Sequence, residues 1–353
     1  MDDPLDALRA FLPPLLRALE GLGFVSRHLN PAQLGRVLAV VAEPGATLRA
    51  VRPALEAWPA ELEPVREPLE LAADQALAAY DGLGAVEEMR GAYRALRYLP
   101  RSQEMLFPLA AGLPPVSRYF LSPGLRDDPD LAARIAAGAG RENVGVFHVD
   151  NEPGARGGFS LFVPETYDSG QTHPLVMALH GGAGSGRGFL WSWLRDARSR
   201  GAILIAPTAV GDTWALQGPD ADSPNLERIL GDVRARWNVD PARMLLTGMS
   251  DGGTFGYVSG LVEGSPFTHL APCSAAFHPM LAAFADADRI KDLPIHITHG
   301  AQDWMFAVDM AREAQGALSA AGARVTYREI EDLSHCYPVE INPDVLAWMD
   351  ATA

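Results

Sequence analysis

The five residues Gly248-Met249-Ser250-Asp251-Gly252 constrain this chain more than any other stretch. They follow a short apolar run, residues 243–247, and precede a small-residue stretch, residues 253–261. The first reads as a buried strand and the second as a helix. A strand that turns sharply into a helix brings two backbones close together, so side chains two positions either side of the turn would collide. G-x-S-x-G meets that demand. It holds the serine in strained backbone geometry with its hydroxyl exposed near a helix N-terminus, where N–H groups favour negative charge. The pentapeptide alone is common, and its surroundings decide its meaning.

Those surroundings change grammar along the chain. Near the N-terminus Leu5, Leu8, Leu12, Leu15, Leu16 and Leu19 fall at helical spacing, with Pro13-Pro14 expected to interrupt them. Asn30-Pro31 reads as an N-cap followed by proline at the first helical position, with Leu34, Val37, Leu38 and Val41 on the apolar face. Pro44-Gly45 is expected to end that helix. Two more helices are predicted over 62–80 and 85–99. The proline-rich stretch 113–124 reads as a linker. Residues 1–125 are therefore predicted to be an all-helical domain.

From 126 to 353 strands and helices alternate. Strands are predicted at 144–149, 159–163, 175–179, 202–206, 244–247, 270–275, 295–298 and 325–329. Helices are predicted at 189–200, at 226–237 with Ser223 as cap and Pro224 at the first position, at 309–321, and from Asn342-Pro343 onward. Apolar strands without polar alternation imply a mostly parallel sheet covered on both faces. Ligands in such sheets bind beyond the C-terminal strand ends.

Three polar signals sit at those ends. The first is the glycine-rich loop His180-Gly181-Gly182-Ala183-Gly184-Ser185-Gly186. It has no G-K-[ST] for a phosphate loop, and G-x-G-x-x-G fails in register. A loop of that composition lets backbone N–H groups approach a substrate oxygen. The second is Asp303 in His299-Gly300-Ala301-Gln302-Asp303, and the third is His335 in Ser334-His335-Cys336-Tyr337-Pro338. Alone, each is an ordinary helix cap or loop residue. Together they follow Ser250 in the order Ser, Asp, His, each just past a strand end. That chemistry needs a base to take the serine proton and an acid to orient the base.

On these segments residues from about 141 to 353 resemble α/β-hydrolase-fold serine esterases. The likeness is to the phospholipase/carboxylesterase and polyhydroxybutyrate depolymerase-like groups, which include feruloyl esterases. It is carried by Pro174-Leu175-Val176-Met177-Ala178-Leu179-His180-Gly181-Gly182, Val239-Asp240-Pro241-Ala242-Arg243, the pentapeptide with Gly253, and the two motifs around Asp303 and His335. The resemblance implies Ser250 as nucleophile, Asp303 as acid and His335 as base. It implies backbone N–H groups of Gly182 and Asp251 as the oxyanion hole, with Gly181 as the alternative to Gly182. Residue 251 is acidic where those groups usually have alanine or glutamine. The helical residues 1–125 match nothing in them.

Trp191, Trp193, Trp214 and Trp304 lie in or after loops expected at the strand ends. Trp214 and Trp304 are the substrate-binding candidates, as aromatic walls of an acyl or alcohol pocket. No metal or cofactor is expected. His296 and His299 would face opposite sides of a strand and lack a matching ligand cluster. His278 and His28 carry no signal. The net charge of −15, from 44 acidic against 29 basic residues, disfavours nucleic acid and anionic membranes as partners. No apolar run reaches the ~18–20 residues of a membrane span. An acidic start, Met1-Asp2-Asp3-Pro4, and only two cysteines, Cys273 and Cys336, lead to the expectation of a cytoplasmic protein with free thiols.

The expected function is hydrolysis of small to medium carboxylic esters, aromatic or short polyester, through an acyl-enzyme on Ser250. The alternatives are a prolyl-oligopeptidase-like peptidase and a hydrolase-like binding protein without activity. The N-terminal helices offer a lid, a homodimer surface or a docking module, and the sequence does not choose among them.

Overall fold

Burial overrides proline in the first helix. Pro4–Arg27 runs unbroken through Pro13 and Pro14. Phe11, Leu15, Leu19 and Leu22 on its inner face are each at most 1% exposed. The packing of that stripe outweighs the hydrogen bonds that the prolines remove. The same correction applies to the second helix, Leu34–Val51, which continues past Pro44. Asn30 does not cap it. Its side chain accepts from the Ala32 N–H in a local turn, and the helix starts three residues beyond Pro31. The stretch expected to be a linker is also structured. It contains the helix Pro114–Tyr119, and Val116, Phe120 and Leu121 are buried.

The computed structural model describes residues 4–283 and 285–353. They divide into two compact units, one ending at Asp127 and one spanning Asp128–Ala353. The first is helical throughout, with its longest later helix at Glu63–Gly84.

The second unit is built on eight strands: β1 (Gly145–Val149), β2 (Phe159–Val163), β3 (His173–Leu179), β4 (Ile203–Pro207), β5 (Val239–Met249), β6 (His269–Cys273), β7 (Pro294–Gly300) and β8 (Arg324–Ile330). Their order in the sheet is β1-β2-β4-β3-β5-β6-β7-β8. β2 is antiparallel to both β1 and β4, and every other pairing is parallel. Apart from the exposed first half of β5, the parallel strands from β3 to β7 are almost wholly buried, which is why their apolar runs lack polar alternation.

Helices follow the strands, at Gly186–Arg200, Asp222–Arg234, Asp251–Gly260, Val308–Ala320 and Asn342–Thr352. At the second of these the expected Ser223 cap is displaced. Asp220 accepts from the N–H groups of Asp222 and Ser223, so the helix begins before Ser223. The register that matters for the site pairs Leu179 with Gly248. It sets the loop after β3 beside the turn after β5.

Candidate active site

Ser250 stands between β5 and the helix Asp251–Gly260 with φ 55° and ψ −122°. A serine gains nothing locally from that conformation, so the surrounding packing must hold it there. Its N–H donates to the Cys273 carbonyl at 3.0 Å, and its carbonyl accepts from Thr254 N–H at 2.9 Å. The flanking glycines are required by close approach. A Cβ on Gly248 would lie 2.6 Å from the Gly252 backbone, and one on Gly252 would lie 2.5 Å from the carbonyl oxygens of Leu179 and His180.

Asp303 and His335 come to this turn from β7 and β8. The His335 Nε2 is 3.0 Å from Ser250 Oγ, and its Nδ1 is 2.8 Å from Asp303 Oδ2. All three are withdrawn from solvent: Ser250 is 7% and His335 3% exposed, and the Asp303 side chain is 0% exposed. The other Asp303 oxygen accepts from the N–H groups of Met305 and Phe306 at 2.9 and 2.8 Å. Burial alone would raise the Asp303 pKa. The hydrogen bonds from His335 and these two N–H groups outweigh it and hold the group below the ordinary carboxylate range. The Phe306 ring meets His335 edge-on with centroids 5.2 Å apart.

A mostly parallel sheet in this strand order, with serine, aspartate and histidine beyond the C-terminal ends of β5, β7 and β8, decides the fold. Residues 128–353 have the α/β-hydrolase fold.

The hydrolase's loop after β3 is pinned by its own histidine. His180 Nδ1 lies 2.7 Å from the Gly181 carbonyl, and Nε2 accepts from Ala209 N–H at 3.1 Å. Desolvation lowers its pKa to about 4, so the ring is neutral near pH 7. Sequence reasoning took this loop as a glycine backbone and missed the ring. Only its distant partner at residue 209 reveals the role.

The same holds for His299, considered above only as a metal ligand. It is 1% exposed, its Nε2 lies 2.9 Å from the Phe306 carbonyl and 3.5 Å from Asp303 Oδ2. It braces the turn that carries the acid.

Gly182 lies against Asp251. A Cβ on Gly182 would stand 2.8 Å from Asp251 Oδ2. The Asp251 N–H is among the first of its helix, where no carbonyl precedes it to accept, so it is available to an oxyanion. The two tryptophan candidates part company. Trp214 is 2% exposed, and its Nε1 donates to the His180 carbonyl at 2.7 Å. It stacks on Phe255 and supports the loop from beneath, because a buried indole N–H needs an acceptor. Trp304 is 47% and Met305 50% exposed, directly beyond Asp303. Among the described residues no group of three His, Cys, Asp or Glu side chains is placed to hold a metal ion.

Comparison with known proteins matches residues 220–351 to the phospholipase/carboxylesterase family model. The chain is 27% identical over 143 residues to a probable feruloyl esterase C of Aspergillus terreus (strain NIH 2624 / FGSC A1156), covering 38% of this chain and 52% of that protein. It is 30% identical over 135 residues to a bifunctional acetylxylan esterase/xylanase, XynS20E, of Neocallimastix patriciarum, covering 37% of this chain and 19% of that protein. The chain thus spans about half the length of the first relative and about a fifth of the second. Among solved structures a ferulic acid esterase aligns with TM-score 0.49 at 16% identity, covering 59% of this chain and 97% of that one. Esterase PE8 aligns with TM-score 0.44 at 21% identity, covering 55% and 97%.

Proposed function

We propose that this chain is a serine carboxylesterase with Ser250 as nucleophile, His335 as general base and Asp303 as the acid that orients it. The observation that carries the reading is the continuous relay from Ser250 Oγ to His335 Nε2 at 3.0 Å and from His335 Nδ1 to Asp303 Oδ2 at 2.8 Å. The Asp303 carboxylate, held ionised, keeps the proton on Nδ1, so that Nε2 carries none and accepts from Ser250 Oγ.

Ser250 Oγ attacks the ester carbonyl carbon while its proton passes to His335 Nε2. The carbonyl electrons move onto oxygen, and the N–H groups of Gly182 and Asp251 receive that charge. When the tetrahedral centre collapses, the alcohol leaves with the proton from His335. Water then repeats the sequence on the acyl-enzyme and returns Ser250. Each oxyanion donor is worth roughly 3–4 kcal/mol of barrier, so the loop after β3 matters as much as the triad.

The substrates are small to medium esters. Exposed Trp304 and Met305 beside the acid favour an apolar or aromatic group. The names of the relatives point to feruloyl and acetyl esters.

Ser250→Ala tests the reading. It should leave thermal unfolding near the wild-type value and lower hydrolysis of p-nitrophenyl acetate and butyrate by about 10⁴-fold or more. Full activity in that variant would exclude Ser250 as nucleophile.

A further inference from the structure

The residue that follows the nucleophile brings a carboxylate to the oxyanion side of the site. Asp251 Oδ2 accepts from Thr213 Oγ1 at 2.6 Å and lies 2.8 Å from where a Gly182 Cβ would be. Thr213 belongs to the loop after β4, so the carboxylate is tethered from outside its own helix. Among the described residues no Lys, Arg or His comes within ion-pairing distance of it. Asp251 and Thr213 are both partly exposed rather than sealed in the core. An unpaired carboxylate held beside a developing oxyanion opposes it, since like charges a few ångströms apart repel. A substrate that brings a proton donor to Asp251 removes that penalty, and one that brings a second carboxylate deepens it.

Resting on the esterase reading above, we propose that the Asp251 carboxylate, tethered by Thr213 against Gly182, selects the substrate. It favours esters with a hydrogen-bond donor, hydroxyl or ammonium, near the ester carbonyl, and rejects those with a carboxylate at the same place. The small residue at 182 is part of the device. Any side chain there would displace the carboxylate from the oxyanion side.

Four methyl esters of near-matched size separate these groups in a pH-stat assay: methyl butyrate, methyl 3-hydroxypropionate, β-alanine methyl ester and monomethyl malonate. The wild type should turn over the hydroxyl and ammonium esters with higher kcat/KM than methyl butyrate, and the malonate half-ester with the lowest. The hydroxyl and ammonium arms show which donor the carboxylate prefers. Asp251→Asn keeps the shape and the acceptor for Thr213. It should shrink the ammonium-to-malonate ratio by about tenfold or more, given the size of a charge interaction at this range. Thr213→Val keeps the charge but releases it, and should shrink that ratio by less than Asp251→Asn does. In the wild type itself the ratio should contract as ionic strength rises from about 0.02 to 0.5 M, so the idea can be tested even if a variant folds poorly. A fluorophosphonate probe on Ser250 runs alongside. If a parallel sample labels at Ser250 yet the ratios are flat in the wild type or unchanged in Asp251→Asn, this proposal alone is overturned. Enzyme that neither labels nor hydrolyses any ester overturns the esterase reading and this proposal with it.

Discussion

The His180 imidazole donates through Nδ1 to the carbonyl of Gly181, its own neighbour in the chain, at 2.7 Å. The tautomer follows from the other nitrogen, which accepts from Ala209 N–H and so carries no proton. Gly184 N–H donates to the same Gly181 oxygen at 3.0 Å. In a trans peptide the carbonyl and the next N–H point in opposite directions, and no cis peptide is present among the described residues. Fixing the Gly181 carbonyl toward the His180 ring therefore aims the Gly182 N–H away from it. The direction of the proposed oxyanion donor is set by a side chain that never meets substrate.

His180→Phe keeps an aromatic ring and removes both hydrogen bonds. It should lower kcat by about 10- to 100-fold, short of the ~10²–10³ for losing a donor outright, with KM little changed. Steady-state kinetics on p-nitrophenyl butyrate measure the split. An unchanged kcat would show that the loop holds its shape without the ring.

Asp303 has two separable duties. One oxygen faces His335, and the other accepts from Met305 and Phe306 N–H groups. Asp303→Asn retains an acceptor for the turn and should lower kcat by about 10⁴-fold with a near-normal melting temperature. Asp303→Ala also strips the turn of its acceptor and should lower stability by about 1–3 kcal/mol as well. Paired kinetics and denaturant titrations distinguish these, and equal stability in the two variants would contradict the second duty.

Gly252 has no room for a methyl group, since a Cβ there would press on the carbonyl oxygens of Leu179 and His180 at 2.5 Å. Gly252→Ala should cost more than about 3 kcal/mol, or prevent accumulation of folded protein. A urea midpoint close to wild type would mean that β3 yields more easily than its burial implies.

Acid should weaken the second unit through its buried histidines. Desolvation lowers His180 and His269 to about 4, and it lowers His296 as well. His269 and His296 both pack edge-on against Trp348 of the last helix. A histidine whose folded pKa is depressed takes up its proton in the unfolded chain first. As pH falls from about 6.5 toward 4, protonation therefore favours unfolding. Denaturant midpoints should drop steadily across that window. His269→Gln should flatten part of the slope, and an identical slope in that variant would rule His269 out as a contributor.

Most strands of the second unit were legible as short apolar runs closed by a polar or glycine-rich break, while β8 showed itself by β-branched and aromatic residues flanked by charged ones. The order of Ser250, Asp303 and His335 was legible because each follows such a run. The failures share a cause. Pro13, Pro14 and Pro44 sit inside helices because packing of the buried face overrides local preference. Trp214, His180 and His299 took their roles from partners at residues 180, 209 and 306. Spacing along the chain carries no trace of such long-range pairings. Asp251 was visible as an oddity of composition, but the tether from Thr213 that directs its carboxylate was not.

The contact of Gly252 with the carbonyls of Leu179 and His180 has an evolutionary reading. The turn that presents Ser250 and the loop that presents Gly182 are wedged against each other backbone to backbone, so neither can drift without dislodging its counterpart. Changes of specificity in a lineage built on this chain are then expected around that joint, at side chains such as Thr213, Trp304 and Met305, rather than in the joint itself.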